Sequence, residues 1–560
     1  MTNKRPLLMT LAIAIGLTTN TFSQSLSSAT IKEIDSLYTN WNTTKTPGCT
    51  IGIIRNDTLI YAKGYGMANL EYDIPNTPET IFEIASISKQ FTAWSIILLA
   101  KEGKLHLDDD IHKYLPWFPD LKAKITIRNL LNHTSGIRDS WQLVAISGTR
   151  LDDVITQDQI VNILGKQQAL NFMPGEQYLY SSSGYTMLAE IVKSVTGQTL
   201  RQFTDSAIFK PLGMSHTHFY DDYTEIEKNR SYSYASIDGT HFSNSILNYS
   251  TVGANGLFTN INDMSKWMMN FYNHKTGNQK DVDTLTKNVK LNSGEKLSYA
   301  SGIVVNTYKG WRQYSHAGKV AGYQTYMTVF PDLKMGFFVF SNLQEFDPQW
   351  KAYAMADLFI HDRTEKKSEV PKELGDSLTG ILKDTLAIQR FLGDYIGTSG
   401  LSLSFDLKGS KLYGHFYDQS TLMIRDSKNS FFAAAAPEQK FNFSIKANDT
   451  TVDVKTPDQM YHLNKYIEDT SQTDKTLKTY TGSYYCPELD CEYDMVLKDH
   501  HLLLTTAKYN SKLTFLNNDH LKNDYWWMGY LHMLRDRKKN ITGFEVNSEG
   551  IMHLRFNKIE

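Results

Sequence analysis

The chain has 560 residues, of which 41% are hydrophobic and 21% are charged, and its formal net charge is -2. This composition is typical of a folded soluble protein, and the length suits one large domain followed by a smaller one. The charge balance shows no basic excess, which excludes a nucleic-acid-binding role and makes a nucleic-acid partner unexpected.

The first 23 residues have the pattern of a secretory signal peptide. Lys4 and Arg5 precede an apolar run from residue 7 to residue 17, and a small, polar stretch follows. This run of about 11 residues is shorter than the roughly 20 that span a bilayer. We therefore expect cleavage near Ser23 and a periplasmic or secreted protein without a membrane span. An uncleaved N-terminal anchor is the alternative, whereas a lipid anchor lacks its cysteine.

In residues 24–362, strand patterns lie at both ends of a helix-rich middle. Thr50 to Ile54 and Leu59 to Gly66 flank a turn and predict a hairpin, and the apolar segment Ile87 to Glu102 predicts a buried helix. Such an α/β domain can bring its first and last strands into one antiparallel sheet. Further helices are predicted at Ile127–Leu131, Tyr185–Val195 and Asp263–Tyr272 (capped by Asn262), and strands at Ser301–Tyr308, Gln324–Phe330 and Met335–Phe340.

Beyond residue 362 the character of the chain changes. Residues 363–387 are polar and charged, which predicts a linker, and short alternating strands from 388 to 560 predict an all-β barrel or sandwich. Phe391-Leu392-Gly393-Asp394-Tyr395 is echoed by Tyr480-Thr481-Gly482-Ser483-Tyr484. The echo indicates either an internal duplication or a common way to start a strand.

The three cysteines do not form a disulfide framework. Cys49 is expected in the core. Cys486 and Cys491 would lie about 16 Å apart in one extended strand and would face opposite ways. A disulfide between them therefore requires a turn at Pro487.

Ser86 and Lys89 are the strongest candidates for catalysis. Spaced i and i+3 on the predicted helix, they share one face about one turn apart. A serine hydroxyl becomes a good nucleophile when a base takes its proton, and a lysine can be that base if burial lowers its pKa. Backbone N–H groups at the start of the helix would also point toward an incoming carbonyl oxygen. On its own this spacing is a weak signal, and the sequence around Ser86 is what favours a serine nucleophile with a lysine base.

Two other motifs are weaker. A second Ser-x-x-Lys, at Ser293 and Lys296, has polar neighbours that indicate a solvated turn. Gly375-Asp376-Ser377-Leu378 spells the opening block of another hydrolase family, but it lies in the predicted linker and no Asp-x-x-His follows it. The chain has no Gly-x-Ser-x-Gly or His-Glu-x-x-His sequence. It therefore lacks the motifs that an α/β-hydrolase or a zinc metallopeptidase would need.

Around the first pair, several motifs resemble the serine β-lactamase-like family, which includes class C β-lactamases, D-alanyl-D-alanine carboxypeptidases, D-aminopeptidases and related esterases. The resemblance covers roughly residues 31–358 and implies a β-lactamase/transpeptidase-like antiparallel sheet with helices on both faces and a helical subdomain. The motifs are Ala85-Ser86-Ile87-Ser88-Lys89, Phe91-Thr92-Ala93, Leu131-Asn132-His133-Thr134-Ser135-Gly136-Ile137, Pro174-Gly175, Tyr180-Ser181-Ser182-Ser183-Gly184-Tyr185, His316-Ala317-Gly318 and Gly322-Tyr323.

The resemblance implies a role for each catalytic position. Ser86 would be the nucleophile, and Lys89 and Tyr180 would share the general-base and general-acid work. The backbone N–H groups of Ser86 and Lys319 would form an oxyanion hole. His133 would be structural, because the family motif around it closes a turn.

Two positions depart from the family pattern. Ser182 stands where an asparagine is usual, so a shorter hydroxyl replaces the amide that would hold the substrate's carbonyl. His316, two residues before Gly318, replaces the lysine of the Lys-Thr-Gly motif, and a histidine is largely neutral near pH 7 unless its pKa is raised. Ser182, Gly318 and Lys319 would line the substrate site.

We therefore expect an exported serine hydrolase that acts on amide or ester bonds in small peptides, esters or β-lactam-like compounds. In related proteins the His-x-Gly form occurs in D-aminopeptidase-like and esterase-like members, which favours a D-amino-acid-specific peptidase. An esterase or β-lactamase of the same fold is the alternative. A catalytically weak penicillin-binding sensor is a further alternative, because Ser182 weakens substrate positioning. No metal or organic cofactor is implied, and homo-oligomerisation is left open.

The C-terminal region, residues 388–560, resembles the lipocalin-like barrels appended to some members of this family. Glu488-Leu489 and the closing segment Met552 to Phe556 support the resemblance. Such a barrel could cover the active-site mouth, bind an apolar ligand, mediate oligomers or only stabilise the chain.

Overall fold

The computed structural model describes residues 26–363, 382, 385–397, 400–416, 419–434, 436–446, 449–456, 460–506 and 508–559. The expected signal peptide, most of the expected linker and the motif at Gly375 lie outside the described residues. The expectations about them stay predictions.

A six-stranded antiparallel sheet forms the centre of the N-terminal domain, in the order β12-β13-β14-β15-β1-β2. The first strand of the hairpin pairs with the last strand of the domain, with Cys49 opposite Ser341. This pairing confirms the prediction that the first and last strands share one antiparallel sheet. Gly52 makes room for a ring, because a Cβ at this position would lie 2.3 Å from Phe338. The strands are β1 (Cys49–Arg55), β2 (Thr58–Tyr65), β12 (Val304–Tyr308), β13 (Trp311–Val320), β14 (Tyr323–Phe330) and β15 (Met335–Ser341).

Helices cover both faces of this sheet, and a helical subdomain lies between its first two strands and the rest. Alternate residues of β15 face opposite ways, so Phe337 packs in one hydrophobic cluster and Phe338 in another. The helices of this domain are α1 (Ser28–Ser36), α2 (Lys89–Lys101), α3 (Ile127–Leu131), α4 (Ser140–Ile146), α5 (Gln157–Gly165), α6 (Ser182–Thr196), α7 (Leu200–Thr204), α8 (Lys210–Leu212), α9 (Ile261–Asn273), α10 (Gln279–Leu285) and α11 (Pro348–Asp357).

The predicted helix at 263–272 begins two residues earlier than expected. Asn260, and not Asn262, caps α9, because the Asn260 side chain accepts a hydrogen bond from the Asp263 N–H at 2.9 Å. Short strands complete the domain: β3 (Met67–Asn69), β4 (Ile74–Pro75), β5 (Phe82–Glu83), β6 (Ile155–Thr156), β7 (His218–Phe219), β8 (Tyr234–Ser236), β9 (Phe242–Asn244), β10 (Tyr249–Ser250) and β11 (Leu257–Thr259).

The described residues of the C-terminal region form two closed eight-stranded barrels. The sequence predicted a single barrel-like domain, so this count is corrected. Barrel 1 follows the short helix α12 (Thr385–Ile388) and contains β16 (Gly393–Gly397), β17 (Ser402–Lys408), β18 (Lys411–Phe416), β19 (Gln419–Ser427), β20 (Ser430–Ala433), β21 (Ala436–Lys446), β22 (Asp449–Lys455) and β23 (Met460–Tyr466). Barrel 2 follows α13 (Asp474–Leu477) and contains β24 (Gly482–Cys486), β25 (Cys491–Lys498), β26 (His501–Thr505), β27 (Asn510–Phe515), β28 (His520–Asn523), β29 (Tyr530–Arg535), β30 (Ile541–Ser548) and β31 (Ile551–Lys558).

The sequence echo marks the first strand of each barrel. In barrel 1 the Tyr395 hydroxyl donates to the Phe391 carbonyl oxygen at 2.9 Å, and in barrel 2 the Tyr484 hydroxyl donates to the Tyr480 carbonyl oxygen at 2.6 Å. The same buried hydrogen bond therefore fixes the entry of both barrels. The echo corresponds to a repeated structural unit.

Cys486 and Cys491 are brought together by the turn that the sequence analysis required for contact. They are directly paired residues of β24 and β25, joined by a turn at residues 487–490, and both are thiols in the structure. The single extended strand considered from the sequence is therefore wrong for this segment. Cys49 lies in the core, fully buried, as expected.

In the part of the chain that the structure describes, no helix is long and apolar enough to cross a membrane.

Candidate active site

Ser86 lies in a 3₁₀ turn, Ala85–Ser88, that runs into α2. The sequence had placed it in the first turn of an α-helix. Ala85 has a φ of 48°, a left-handed conformation that is strained for a residue with a Cβ. Ser86 is partly exposed, whereas its neighbours in the turn are buried. The turn therefore leaves Ser86 partly accessible to a substrate while the rest of the segment is buried.

Lys89 points back at this hydroxyl. Its Nζ lies 3.0 Å from Ser86 Oγ and donates to the Ala254 carbonyl oxygen at 2.8 Å. Burial is complete and lowers the pKa of Lys89 to about 7, against the opposing charges of Asp139 and Glu83. As a neutral amine, Lys89 can accept the Ser86 proton and still donate to Ala254.

Glu83 holds the nucleophile's turn in place and was missed by the sequence analysis. Its carboxylate accepts hydrogen bonds from the Ala85 N–H at 2.8 Å and the Gly256 N–H at 2.7 Å. Burial raises the pKa of Glu83 to about 7, although both N–H donors oppose the shift. An acidic residue between two apolar ones, shortly before the nucleophile, is the signal that could have found it.

Tyr180 lies beside Lys89, with its ring centroid 4.9 Å from Lys89 Nζ. Its other neighbour is the His133 ring at 4.2 Å. His133 fixes this segment, because its Nδ1 accepts from the Ser181 N–H at 3.2 Å and its carbonyl oxygen accepts from the Leu179 N–H at 3.0 Å. Burial holds the pKa of His133 well below its usual value, so the ring is neutral.

His316 is also neutral, and both of its ring nitrogens are engaged. Nδ1 lies 2.5 Å from the Ala317 carbonyl oxygen and Nε2 lies 3.0 Å from the Tyr299 hydroxyl. A carbonyl can only accept, so Nδ1 carries the proton and Nε2 accepts from Tyr299. Burial, followed by the charge of Lys89, lowers the pKa of His316 to about 3. His316 therefore supplies no positive charge to the site near pH 7.

The end of β13 lies against the nucleophile's turn. β12 pairs with β13 only as far as Ser315, so residues 316–320 keep one backbone edge open. Gly318 allows the close approach, because a Cβ there would lie 2.4 Å from the Ile84 carbonyl oxygen. Thr325 secures the contact by donating to the same oxygen at 3.0 Å. Lys319 follows in the strand, with an exposed side chain.

Ser182 opens helix α6 and is tied to a carboxylate that the sequence analysis missed. Its N–H donates to Asp139 Oδ2 at 2.7 Å. Asp139 Oδ1 also caps α4, accepting from the Trp141 and Gln142 N–H groups at 3.0 and 3.2 Å. Burial raises the pKa of Asp139. An aspartate directly before a helical segment is a capping signal that could have found it.

The structure brings the sequence-predicted residues to one place. Ser86, Lys89 and Tyr180 form a contiguous group, and His316 contacts the same aromatic cluster through Tyr299. Ser293 and Lys296, the second Ser-x-x-Lys copy, lie exposed in a loop, as expected.

The family comparison agrees with this geometry. The family model described as Beta-lactamase matches residues 32–361. The chain belongs to the Beta-lactamase family. This match confirms the resemblance drawn from the motifs and the β-lactamase/transpeptidase-like fold. Members of the family are typically serine hydrolases that work through an acyl-enzyme.

Two relatives and one solved structure illustrate the similarity. Penicillin-binding protein 4* of Bacillus subtilis (strain 168) is 27% identical over 402 residues, which are 69% of this chain and 88% of that protein. Protein flp of Staphylococcus aureus (strain N315) is 28% identical over 359 residues, 62% of this chain and 70% of that protein. The octameric penicillin-binding protein homologue from Pyrococcus abyssi shares the fold, with a TM-score of 0.54 and 23% identity over 78% of this chain and 100% of that chain.

Proposed function

We propose that this protein is an exported serine hydrolase in which Ser86 forms an acyl-enzyme with amide or ester substrates. The observation that carries the proposal is the buried Lys89 amine, 3.0 Å from Ser86 Oγ, with a pKa of about 7. At neutral pH a large share of this amine is unprotonated. It accepts the hydroxyl proton as Ser86 attacks the substrate's carbonyl carbon.

The remaining groups complete the reaction. Tyr180, against Lys89, passes the proton on to the leaving nitrogen or oxygen. The backbone N–H groups of Ser86 and Lys319 stabilise the oxyanion, and each such donor is typically worth about 3 kcal/mol. The strained Ala85 and the Glu83 carboxylate hold the Ser86 N–H in position before the substrate arrives.

The neutral His316 favours substrates without a free carboxylate near the scissile bond. A β-lactam or an acyl-D-Ala-D-Ala peptide brings such a carboxylate, and this histidine offers it no positive charge. Aminoacyl amides lack it, which supports an aminopeptidase-like or amidase-like activity. The preference for D-amino acids rests on the His-x-Gly form at residues 316–318. Ser182 favours an esterase as the second candidate, because a hydroxyl holds a substrate amide less firmly than the usual asparagine.

A fluorophosphonate probe tests the nucleophile directly. The wild-type protein is expected to be labelled and Ser86→Ala is not. Equal labelling of both proteins would end the proposal. A hydrolysis panel of D- and L-aminoacyl amides, acyl-D-Ala-D-Ala, p-nitrophenyl esters and a chromogenic β-lactam then separates the substrate classes, and turnover of short esters alone would favour the esterase.

The pH dependence tests the base. Lys89 must lose its proton to act, so the labelling rate should rise with pH through an apparent pKa of about 7 and level off above it. Lys89→Met should lower the labelling rate by about a hundredfold or more and abolish its rise with pH. A flat profile in the wild type would contradict the role given to Lys89.

A further inference from the structure

Barrel 2 packs against the segment that contains Asp139. The turn between β30 and β31 places the Gly550 carbonyl oxygen 2.9 Å from the Asp139 N–H, and the Gly550 N–H donates to Gln142 Oε1 at 2.9 Å. A Cβ on Gly550 would lie 2.5 Å from the Asp139 Cβ. The approach therefore requires glycine, and it brings barrel 2 against the start of α4.

A buried ion pair fixes the neighbouring residue. Arg138 donates to Glu488 Oε2 at 2.6 Å, and the two side chains are only 1% and 8% exposed. Glu488 Oε2 also accepts from the Gln168 N–H at 2.9 Å, while Arg138 donates to the Met552 carbonyl oxygen at 3.3 Å. A buried charge left without its partner is strongly unfavourable, so this pair allows little freedom in how the two domains meet.

Arg138 and Asp139 in turn hold the first residues of α6. The Arg138 carbonyl oxygen accepts from the Ser183 hydroxyl at 2.6 Å, and Asp139 accepts from the Ser182 N–H at 2.7 Å. Tyr180 lies two residues before Ser182. A continuous path of hydrogen bonds thus leads from barrel 2 to the start of α6, which directly follows the segment that carries Tyr180.

We infer that barrel 2 is part of the active-site scaffold and that Glu488 is a positioning residue, acting through Arg138 to hold Asp139 and the start of α6. The inference rests on the proposed function and deepens it. It assigns to the C-terminal region a role in the chemistry of Ser86 as well as in stability.

The pKa of Lys89 distinguishes a positioning role from a purely stabilising one. An interface that only stabilised the protein would not change this pKa. The carboxylates of Asp139 and Glu83 raise its pKa, whereas the neutral rings of His133 and His316 carry no charge to do so. Of the two carboxylates, Asp139 is the one that barrel 2 holds. If Asp139 moves away, the pKa of Lys89 falls and the rise in labelling rate shifts to lower pH.

The experiment measures the rate of fluorophosphonate labelling of the full chain between about pH 5 and 9. Glu488→Gln keeps the size of the side chain but removes its charge, and Gly550→Ala separates the same surfaces without a change of charge. Both variants should be labelled at a rate at least about tenfold lower than that of the wild type, because small displacements of reacting groups slow a reaction strongly. Their pH profiles should shift to lower pH.

Tyr493→Phe is the matched control. It removes another buried hydrogen bond from barrel 2 to α4, from the Tyr493 hydroxyl to the Ile146 carbonyl oxygen at 2.8 Å, but at the end of the helix away from Asp139. It should lower the melting temperature while leaving the labelling rate within about twofold of the wild type. Circular dichroism confirms that each variant is folded at the assay temperature.

The outcomes separate the two proposals. If Glu488→Gln and Gly550→Ala are folded and label like Tyr493→Phe, with the wild-type pH profile, the positioning role is wrong and the proposed function stands. If Glu488→Gln does not fold, Gly550→Ala alone decides. If the wild type labels no faster than Ser86→Ala, the proposed function itself fails.

Discussion

Barrel 1 and barrel 2 share an architecture but differ in how they join the rest of the molecule. The core of barrel 1 is a hydrophobic cluster of its own, from Leu382 to Leu463. The core of barrel 2 belongs to the same cluster as α2, α4 and α6 of the N-terminal domain. Barrel 1 instead touches barrel 2, with Gly400 against Asn547 and Ser548.

The difference teaches that a repeated unit need not have a repeated role. Barrel 2 buries an ion pair and several hydrogen bonds against residues 138–171, next to the candidate active site. Barrel 1 keeps its own core and, in the described residues, contacts barrel 2 at Gly400, beside Asn547 and Ser548, and at Tyr466, whose ring centroid lies 5.8 Å from Lys522 Nζ. We expect barrel 2 to behave as part of the catalytic unit and barrel 1 as a separable domain.

Deleting the barrels should give the largest difference between barrel 1 and barrel 2. Truncation after Asp362 removes both barrels and exposes the shared core, so we expect loss of soluble folded protein and of fluorophosphonate labelling. Replacing residues 363–466 with a flexible Gly/Ser linker removes barrel 1 alone and should keep labelling near the wild-type rate. For both deletion variants, fluorophosphonate labelling measures the activity of Ser86 and gel filtration measures whether the protein is soluble and folded. If the truncated chain labelled normally, the two barrels would be equivalent appendages.

Matched core substitutions should sharpen the comparison. Phe556→Ala in barrel 2 removes a ring stacked 4.7 Å from Phe544, and Phe443→Ala in barrel 1 removes a ring stacked 4.4 Å from Phe391. Each should cost about 3–5 kcal/mol in the free energy of unfolding of its own core. Thermal unfolding combined with labelling should show that Phe556→Ala destabilises the labelled domain.

Phe443→Ala is the internal control for that substitution. It should unfold barrel 1 at a lower temperature while labelling stays at the wild-type rate. Equal loss of labelling in both variants would show that the two cores are thermodynamically coupled.

Much of the N-terminal fold could be predicted from the sequence, because local patterns determine it. The hairpin at β1 and β2 shows strand propensity around a turn, and α2 is an apolar run that is buried as expected. The echo of residues 391–395 at residues 480–484 allowed for an internal duplication, but it did not determine the number of barrels, because strands in both barrels have the same alternating pattern. Which strand closes on which depends on pairings such as β16 with β23, far apart in the chain.

The site was predictable where a motif names a residue and not where tertiary contacts give it a role. Ser86 and Lys89 lie three positions apart in the sequence, so their spacing already predicted contact. Glu83 and Asp139 each have a local signal, but their roles in the site depend on Gly256 and Ser182, which only folding brings near. Arg138 has no local signal at all, because its partner Glu488 lies 350 positions away.

The smallest expected effect comes from the tyrosine that opens each barrel. Tyr395→Phe and Tyr484→Phe each delete one buried hydroxyl that donates to the backbone four residues earlier. The local cost should be about 1 kcal/mol in both barrels, since the bond and its burial are alike. If barrel 2 is continuous with the N-terminal domain, Tyr484→Phe lowers the melting temperature of the labelled domain, while Tyr395→Phe lowers only that of barrel 1. Equal shifts of one shared transition would mean that all three domains unfold together and that the separate core of barrel 1 confers no independence.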